Sequence, residues 1–333
     1  MRPVEVKAAI SHLVDEKVPT FLWGPPGIGK SSIVRQIASD RGVDFIDLRL
    51  TLLDPTDLRG FPFFDQETHK AVWAPPAFLP DGSSPEGILF LDELNTAAPM
   101  VQASAYQLIL DRRIGEYELP EGWAIVAAGN RESDRGAVFR MPAPLANRFV
   151  HLEMEIDAAQ WRSWAMANGF DHSVVGFISA RPDALFMFDA KSVHRSFATP
   201  RSWEYVDRIL KSTPEPELLM PLISGSIGEE LAAEFLSWRS AAEDLPDLDA
   251  ILEGKTQPVP KDPNALHVLS SMIVTRVSSQ TSTDVLENLL AYLIELDPEF
   301  SVMIVRELQQ KGVLLEKAKE WKRWIKAFGY LLA

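Results

Sequence analysis

The stretch Thr20-Phe21-Leu22-Trp23-Gly24-Pro25-Pro26-Gly27-Ile28-Gly29-Lys30-Ser31-Ser32 joins a short apolar run, a turn of glycine and proline, and the opening of a helical segment. That order decides the fold. A glycine-rich turn between a buried strand and a helix lets the backbone wrap closely around phosphate oxygens. Residues Gly24 to Ser32 form the expected cradle, with Lys30 bringing a cation toward β and γ phosphates and the Ser31 hydroxyl suited to Mg²⁺. The alternative is a structural turn that matches by chance, and the flanking strand and helix weigh against it.

Similar short apolar runs, each bounded by turn residues, recur at 44–50, 88–91, 123–127 and 149–154. Their length and continuity fit buried parallel strands. Helical periodicity fits 30–39 and 100–111. The alternation predicts an α/β fold, a P-loop αβα sandwich on a parallel five-stranded sheet, with ligands bound at the carboxyl ends of the strands. Two stretches interrupt the pattern: 60–80, rich in Phe and Pro, and 113–123, where Ile114, Tyr117 and Leu119 stand out. Each reads as a hairpin.

The run Ile88-Leu89-Phe90-Leu91 ends in the carboxylates Asp92 and Glu93, which a strand end would deliver beside the phosphate loop. Asp92 can hold Mg²⁺ directly or through water, and Glu93 can orient the attacking water for in-line displacement. A helix-start acidic pair is the other reading. The next apolar run ends in Ala128-Gly129-Asn130, so Asn130 could position that water, or it could cap a turn. Arginines at Arg148, Arg201, Arg112 and Arg113 are candidates for stabilising transferred charge, since a guanidinium fork suits phosphate oxygens. Taken singly, each would be read as a surface ion pair.

Their order changes that reading. Gly24 to Ser31, Ile88 to Glu93, Ala127-Ala128-Gly129-Asn130, Leu145-Ala146-Asn147-Arg148-Phe149 and Thr199-Pro200-Arg201-Ser202-Trp203 resemble the Walker A, Walker B, sensor-1, arginine-finger and sensor-2 elements of AAA+ ATPases. The segment from Leu50 to Gly60, Ala74-Pro75-Pro76 and the run from Leu91 to Pro99 resemble the MoxR branch of the helix-2-insert clade, among dynein-related, AAA_5-type ATPases. The likeness covers roughly residues 15 to 205. It implies that the two hairpins are the helix-2 insert and the pre-sensor-1 hairpin. It further implies ATP with Mg²⁺ cleaved at the interfaces of a homo-oligomeric ring, usually a hexamer. Arg148 would reach the neighbour's γ-phosphate, and Arg201 would contact the nucleotide from a helical lid. Such proteins commonly act as chaperone-like remodellers beside a partner with a von Willebrand factor A domain. Two departures stand out: Asn95-Thr96-Ala97 replaces a common Asn-Arg-Ala, and Ala127-Ala128-Gly129-Asn130 replaces Ala-Thr-Gln-Asn. Two other functions share this motif set: a nucleic-acid-stimulated motor of the restriction type, and a nucleotide-gated assembly switch.

Composition bounds these expectations. A chain of 333 residues, 46% hydrophobic and 24% charged, can bury a sizeable core in two or three units. The expected division is a nucleotide-binding core at 1–154, a helical lid at 155–254 and a C-terminal helical domain at 255–333. No apolar run approaches the roughly 20 residues of a bilayer span, and the first residues lack the apolar core of a signal peptide, so a cytoplasmic protein is expected. There is no cysteine, and the six histidines show no ligand spacing, so no structural metal is expected. A net charge of −14 disfavours a nucleic-acid partner. In the C-terminal part, Leu286, Leu289, Leu290, Leu293 and Ile294 form a helical stripe that reads as core. The last helix carries Lys317, Lys319, Lys322, Arg323 and Lys326 among Trp321, Trp324 and Phe328. It reads either as aromatics docked inward beneath solvated lysines or as a surface for membrane or nucleic acid.

Overall fold

The computed structural model describes residues 1–67, 69–134, 139, 141–188, 195–241 and 245–331. The chain divides into two compact units, one running to Asp157 and one from Ala158 onward.

Among the described residues of the first unit there are nine strands: β1 (Thr20–Trp23), β2 (Asp44–Arg49), β3 (Phe61–Asp65), β4 (Lys70–Ala74), β5 (Gly87–Asp92), β6 (Arg113–Ile114), β7 (Tyr117–Glu118), β8 (Trp123–Gly129) and β9 (Val150–Glu153). Five of them form one sheet in the order β2-β5-β8-β1-β9. Every pairing in it is parallel. A strand shows alternate residues to opposite faces, and in the central strands both sets are buried. Leu89, Leu91, Ile125 and Ala127 pack with Val101, Ala105 and Leu108 of the helix Pro99–Asp111. Ile88, Phe90, Ala124 and Val126 are equally buried on the other face. The helices Pro3–Asp15 and Lys30–Arg41 pack on the sheet there. This is the expected αβα sandwich with five parallel strands. Within this sandwich the expected strands and the two expected helices form to within two residues at each end, and the sheet order sets β5, β8 and β1 side by side.

Both interruptions are antiparallel hairpins, β3–β4 and β6–β7. Thr68, between β3 and β4 in the sequence, lies outside the described residues.

The second unit is helical. Trp161, Phe177, Trp203, Phe235 and Trp238 centre one apolar cluster. Leu269, Ile273, Leu289, Leu290, Leu293, Ile304, Leu308 and Trp324 centre another. The leucine stripe is therefore core, with Ile294 partly buried against it. On the helix Trp321–Phe328, Trp324 and Phe328 are buried and Lys322, Arg323 and Lys326 are exposed. The Trp324 indole donates to Ser301 Oγ at 2.8 Å, which supplies the partner a buried indole N–H needs. The helix begins at Trp321, so Lys317 and Lys319, expected on it, precede it, and for the remaining residues the docked reading holds. None of the described helices is long and apolar enough to cross a membrane.

Candidate active site

Because β1, β5 and β8 run parallel and adjacent, their carboxyl ends fall along one edge of the sheet. Trp23 is in register with Gly129, and Leu91 with Ala127. The phosphate loop, the Asp92–Glu93 pair and Asn130 each begin where one of these strands stops. This is the crevice in which open parallel sheets bind ligands.

The loop turns through two left-handed residues, Gly27 at φ 77° and Gly29 at φ 97°. A side chain at either position would be strained. Gly29 caps the helix that Lys30 opens, and the first N–H groups of any helix have no acceptor within it, so they can serve an anion. The Lys30 ammonium donates to the carbonyls of Gly24 at 2.6 Å and Pro25 at 3.0 Å, and to Asn130 Oδ1 at 3.0 Å. Ser31 follows on the first helical turn, half-buried, while Ser32 is exposed. Pro25 and Ile28 are buried and Pro26 is half-buried, so the loop is packed on one side and open on the other.

Asp92 is half-buried at the end of β5. Burial chiefly holds its carboxyl above the usual carboxylate range, and the like charges of Asp47 and Glu93 push the same way. The Glu93 N–H, 3.0 Å from Asp92 Oδ1, and the Lys30 charge oppose that shift. A partly desolvated carboxylate among other anions is a favourable place for a divalent cation. Among the described residues no cluster of three or more His, Cys, Asp or Glu could hold a metal alone.

Glu93 adopts φ 58°, the left-handed region, which costs a non-glycine residue roughly 1–2 kcal/mol. Its Oε2 accepts from Thr51 Oγ1 at 2.5 Å, so its carboxylate is held from the loop after β2. Asn130 is fixed more firmly. Asn95 Nδ2 donates to the Asn130 carbonyl at 2.7 Å, and the Asn130 N–H donates to Asn95 Oδ1 at 3.2 Å. Asn95 is only 1% exposed, and a Cβ on Gly129 would stand 2.1 Å from its Oδ1. The amide of Asn95 thus reads the Asn130 backbone from both sides, and only glycine at 129 leaves room for it.

In the sequence, Thr51 and Asn95 fall only within stretches that carry the family resemblance, with no role of their own. A signal for Asn95 did exist: glycine at the end of an apolar strand marks close approach by another group.

The arginines separate into two kinds. Arg112 donates to the carbonyls of Pro120 at 2.8 Å and Trp123 at 2.7 Å, so its guanidinium is engaged in closing the β6–β7 hairpin. Arg148 lies in the turn between the helix Ala143–Ala146 and β9, exposed, with no ion pair among the described residues. Arg201 is exposed on the first turn of Pro200–Lys211 in the second unit. The first unit thus brings together Lys30, Asp92, Glu93 and Asn130 and leaves Arg148 at its surface.

A parallel sheet with a glycine-rich loop leading from its first strand into a helix, and an acidic strand end beside that loop, defines a P-loop nucleotide-binding protein. Residues 20–151 match the profile of the ATPase family associated with various cellular activities (AAA). Midasin of Giardia intestinalis is 27% identical over 177 residues, which are 50% of this chain and 4% of midasin. The chain therefore spans a small fraction of that relative. Among solved structures, NtrX from Brucella abortus in complex with ADP is similar at a TM-score of 0.42 and 15% identity, covering 98% of this chain and 68% of that one. The Thermotoga maritima RuvB Holliday junction branch migration motor is similar at a TM-score of 0.37 and 19% identity, covering 70% of this chain and 68% of that one. Likenesses this distant carry no part of the assignment, which rests on the family match and the site.

Proposed function

We propose that this chain is a MoxR-like AAA+ ATPase that hydrolyses ATP with Mg²⁺ at the subunit interfaces of a cytoplasmic homo-oligomeric ring, a hexamer, and uses the cycle to remodel or activate a protein partner, one bearing a von Willebrand factor A domain. The supporting observation is the convergence of Lys30 and Asn130, bonded at 3.0 Å, beside the carboxylates that follow β5.

In this reading Gly24 to Ser32 wrap the phosphates, and the Lys30 ammonium exchanges its carbonyl partners for β and γ oxygens. Ser31 and Asp92 would hold Mg²⁺, which when bound neutralises charge on the phosphate oxygens. Glu93 orients and polarises the attacking water, and Asn130 steadies that water from the neighbouring strand end. Arg148, exposed and without an ion pair among the described residues, is available to a neighbouring protomer's γ-phosphate. Arg201 contacts nucleotide from a lid formed by 155–254, and 255–333 form a separate C-terminal domain.

The test is turnover. The assembled ring should hydrolyse ATP faster when a protein partner captured on an ATP-loaded Glu93→Gln ring is added back. Stimulation by DNA or RNA but by no protein would overturn the remodelling role. Equal turnover by Glu93→Gln and wild type would overturn hydrolysis as the output.

A further inference from the structure

His151 sits in β9, in register with Phe21 of β1, and its ring lies among Phe21, Trp23 and Phe149 at centroid distances of 5.8, 5.9 and 6.2 Å. Both of its nitrogens are used. The Trp23 indole Nε1 lies 2.9 Å from Nδ1, and Nε2 lies 2.8 Å from the Ala146 carbonyl. An indole N–H can only donate and a carbonyl can only accept. The imidazole is therefore held as one tautomer, with Nδ1 accepting from Trp23 and Nε2–H donating to Ala146.

The two ends of this bridge matter by position. Trp23 is the last residue before Gly24 of the phosphate loop. Ala146 closes the short helix Ala143–Ala146 and precedes the Asn147-Arg148 turn, and its carbonyl also accepts from the Phe149 N–H at 3.2 Å. The turn presenting Arg148 is otherwise held by backbone bonds of one helical turn, such as Arg148 N–H to the Leu145 carbonyl at 3.0 Å. A helix of four residues has little stability of its own. His151 adds a side-chain tie from that turn to the strand leading into the loop.

We propose that His151 is a positioning residue for Arg148, linking the phosphate-loop strand of one protomer to the arginine that this protomer offers its neighbour. The assignment rests on the reading that Arg148 acts across a subunit interface. It predicts an effect in trans: loss of His151 should weaken hydrolysis in the neighbour's site while leaving its own protomer's pocket competent.

The experiment uses mixed rings of full-length chains. His151→Ala alone should lower kcat by up to about 10²-fold, the scale of a reacting group displaced by about 1 Å, with nucleotide affinity within about twofold of wild type. Adding Glu93→Gln subunits, inactive themselves but carrying intact Arg148, should raise turnover per His151→Ala subunit, as it should for Arg148→Ala. Rescue of Arg148→Ala but not of His151→Ala would overturn the positioning role and leave the trans arginine standing. Rescue of neither would overturn the trans arginine itself. Two conservative variants guard against misfolding of the alanine form. His151→Gln keeps a donor where Nε2 lies, and His151→Asn keeps an acceptor where Nδ1 lies. The Gln form should retain more turnover, and an Asn form equal to it or faster would overturn the assignment.

Discussion

The groups around the phosphate loop and the arginines offered for catalysis differ in how they are held. Lys30, Glu93 and Asn130 are each tied by hydrogen bonds to another strand end or loop of the first unit. Arg148 and Arg201 are exposed and carry no ion pair among the described residues. A cation in water outside any close ion pair contributes little to folding, so its side chain is open to use on another molecule. In the proposed reading, one half of the chemistry is built into the fold and the other half is presented at the surface.

Breaking the built-in half should have the largest effect. Lys30→Ala removes the ammonium from the loop, and nucleotide binding measured by calorimetry should fall below detection, taking all turnover with it. Arg148→Ala should lower kcat by about 10³-fold, the low end for an arginine finger, with nucleotide affinity almost unchanged. A matching loss of affinity would place Arg148 with the built-in groups and erase the contrast. Glu93→Gln should slow single-turnover hydrolysis by about 10²-fold or more while binding is kept. Asn95→Ala should act through the fold, because it leaves the Asn130 N–H and carbonyl without their partner. A loss of roughly 1–3 kcal/mol in chemical denaturation is expected, with a smaller fall in kcat.

The smallest effect sharpens the comparison through pH. Burial raises the Asp92 carboxyl above its ordinary range, so the folded chain holds that proton more tightly than the unfolded one. The stabilising contribution is full below the unfolded value and is lost as pH rises through the folded one. Without nucleotide and metal, Asp92→Asn should therefore melt higher than wild type at neutral pH, by about 2 °C. The gap should close as the solution is taken down toward pH ~4, the ordinary aspartate range. A gap that widened on acidification would mean that Asp92 is stabilised as a carboxylate.

Much of this molecule was legible beforehand because its signals are local. A strand, a glycine turn and a helix start are contiguous in 20–32, and five apolar runs with turn residues at their ends are enough to predict a parallel sheet. The two hairpins were legible for the same reason, but their difference was not. Arg112, Tyr117 Oη on the Pro80 carbonyl at 2.8 Å and buried Ile114 anchor β6–β7. In β3–β4, Phe61, Phe63 and Phe64 are 73%, 52% and 64% exposed. An aromatic in a short strand reads as core until its neighbours are known. The pairing of Asn95 with Asn130 and the bridge from Trp23 through His151 to Ala146 connect residues 35, 128 and 5 positions apart. No periodicity encodes such contacts, because they arise only when the sheet order is set. Arg148 was read from motif order alone, and its exposure adds a physical reason.

Glu93 is a long, branched-off acid occupying a backbone shape that glycine adopts freely. A lineage screened only for heat tolerance would tend to lose it: Glu93→Gly should relax the chain locally and give a tougher, idle protein. If the acid earns its place through turnover, cells dependent on that turnover should revert such a change even when the hardier form accumulates to higher levels.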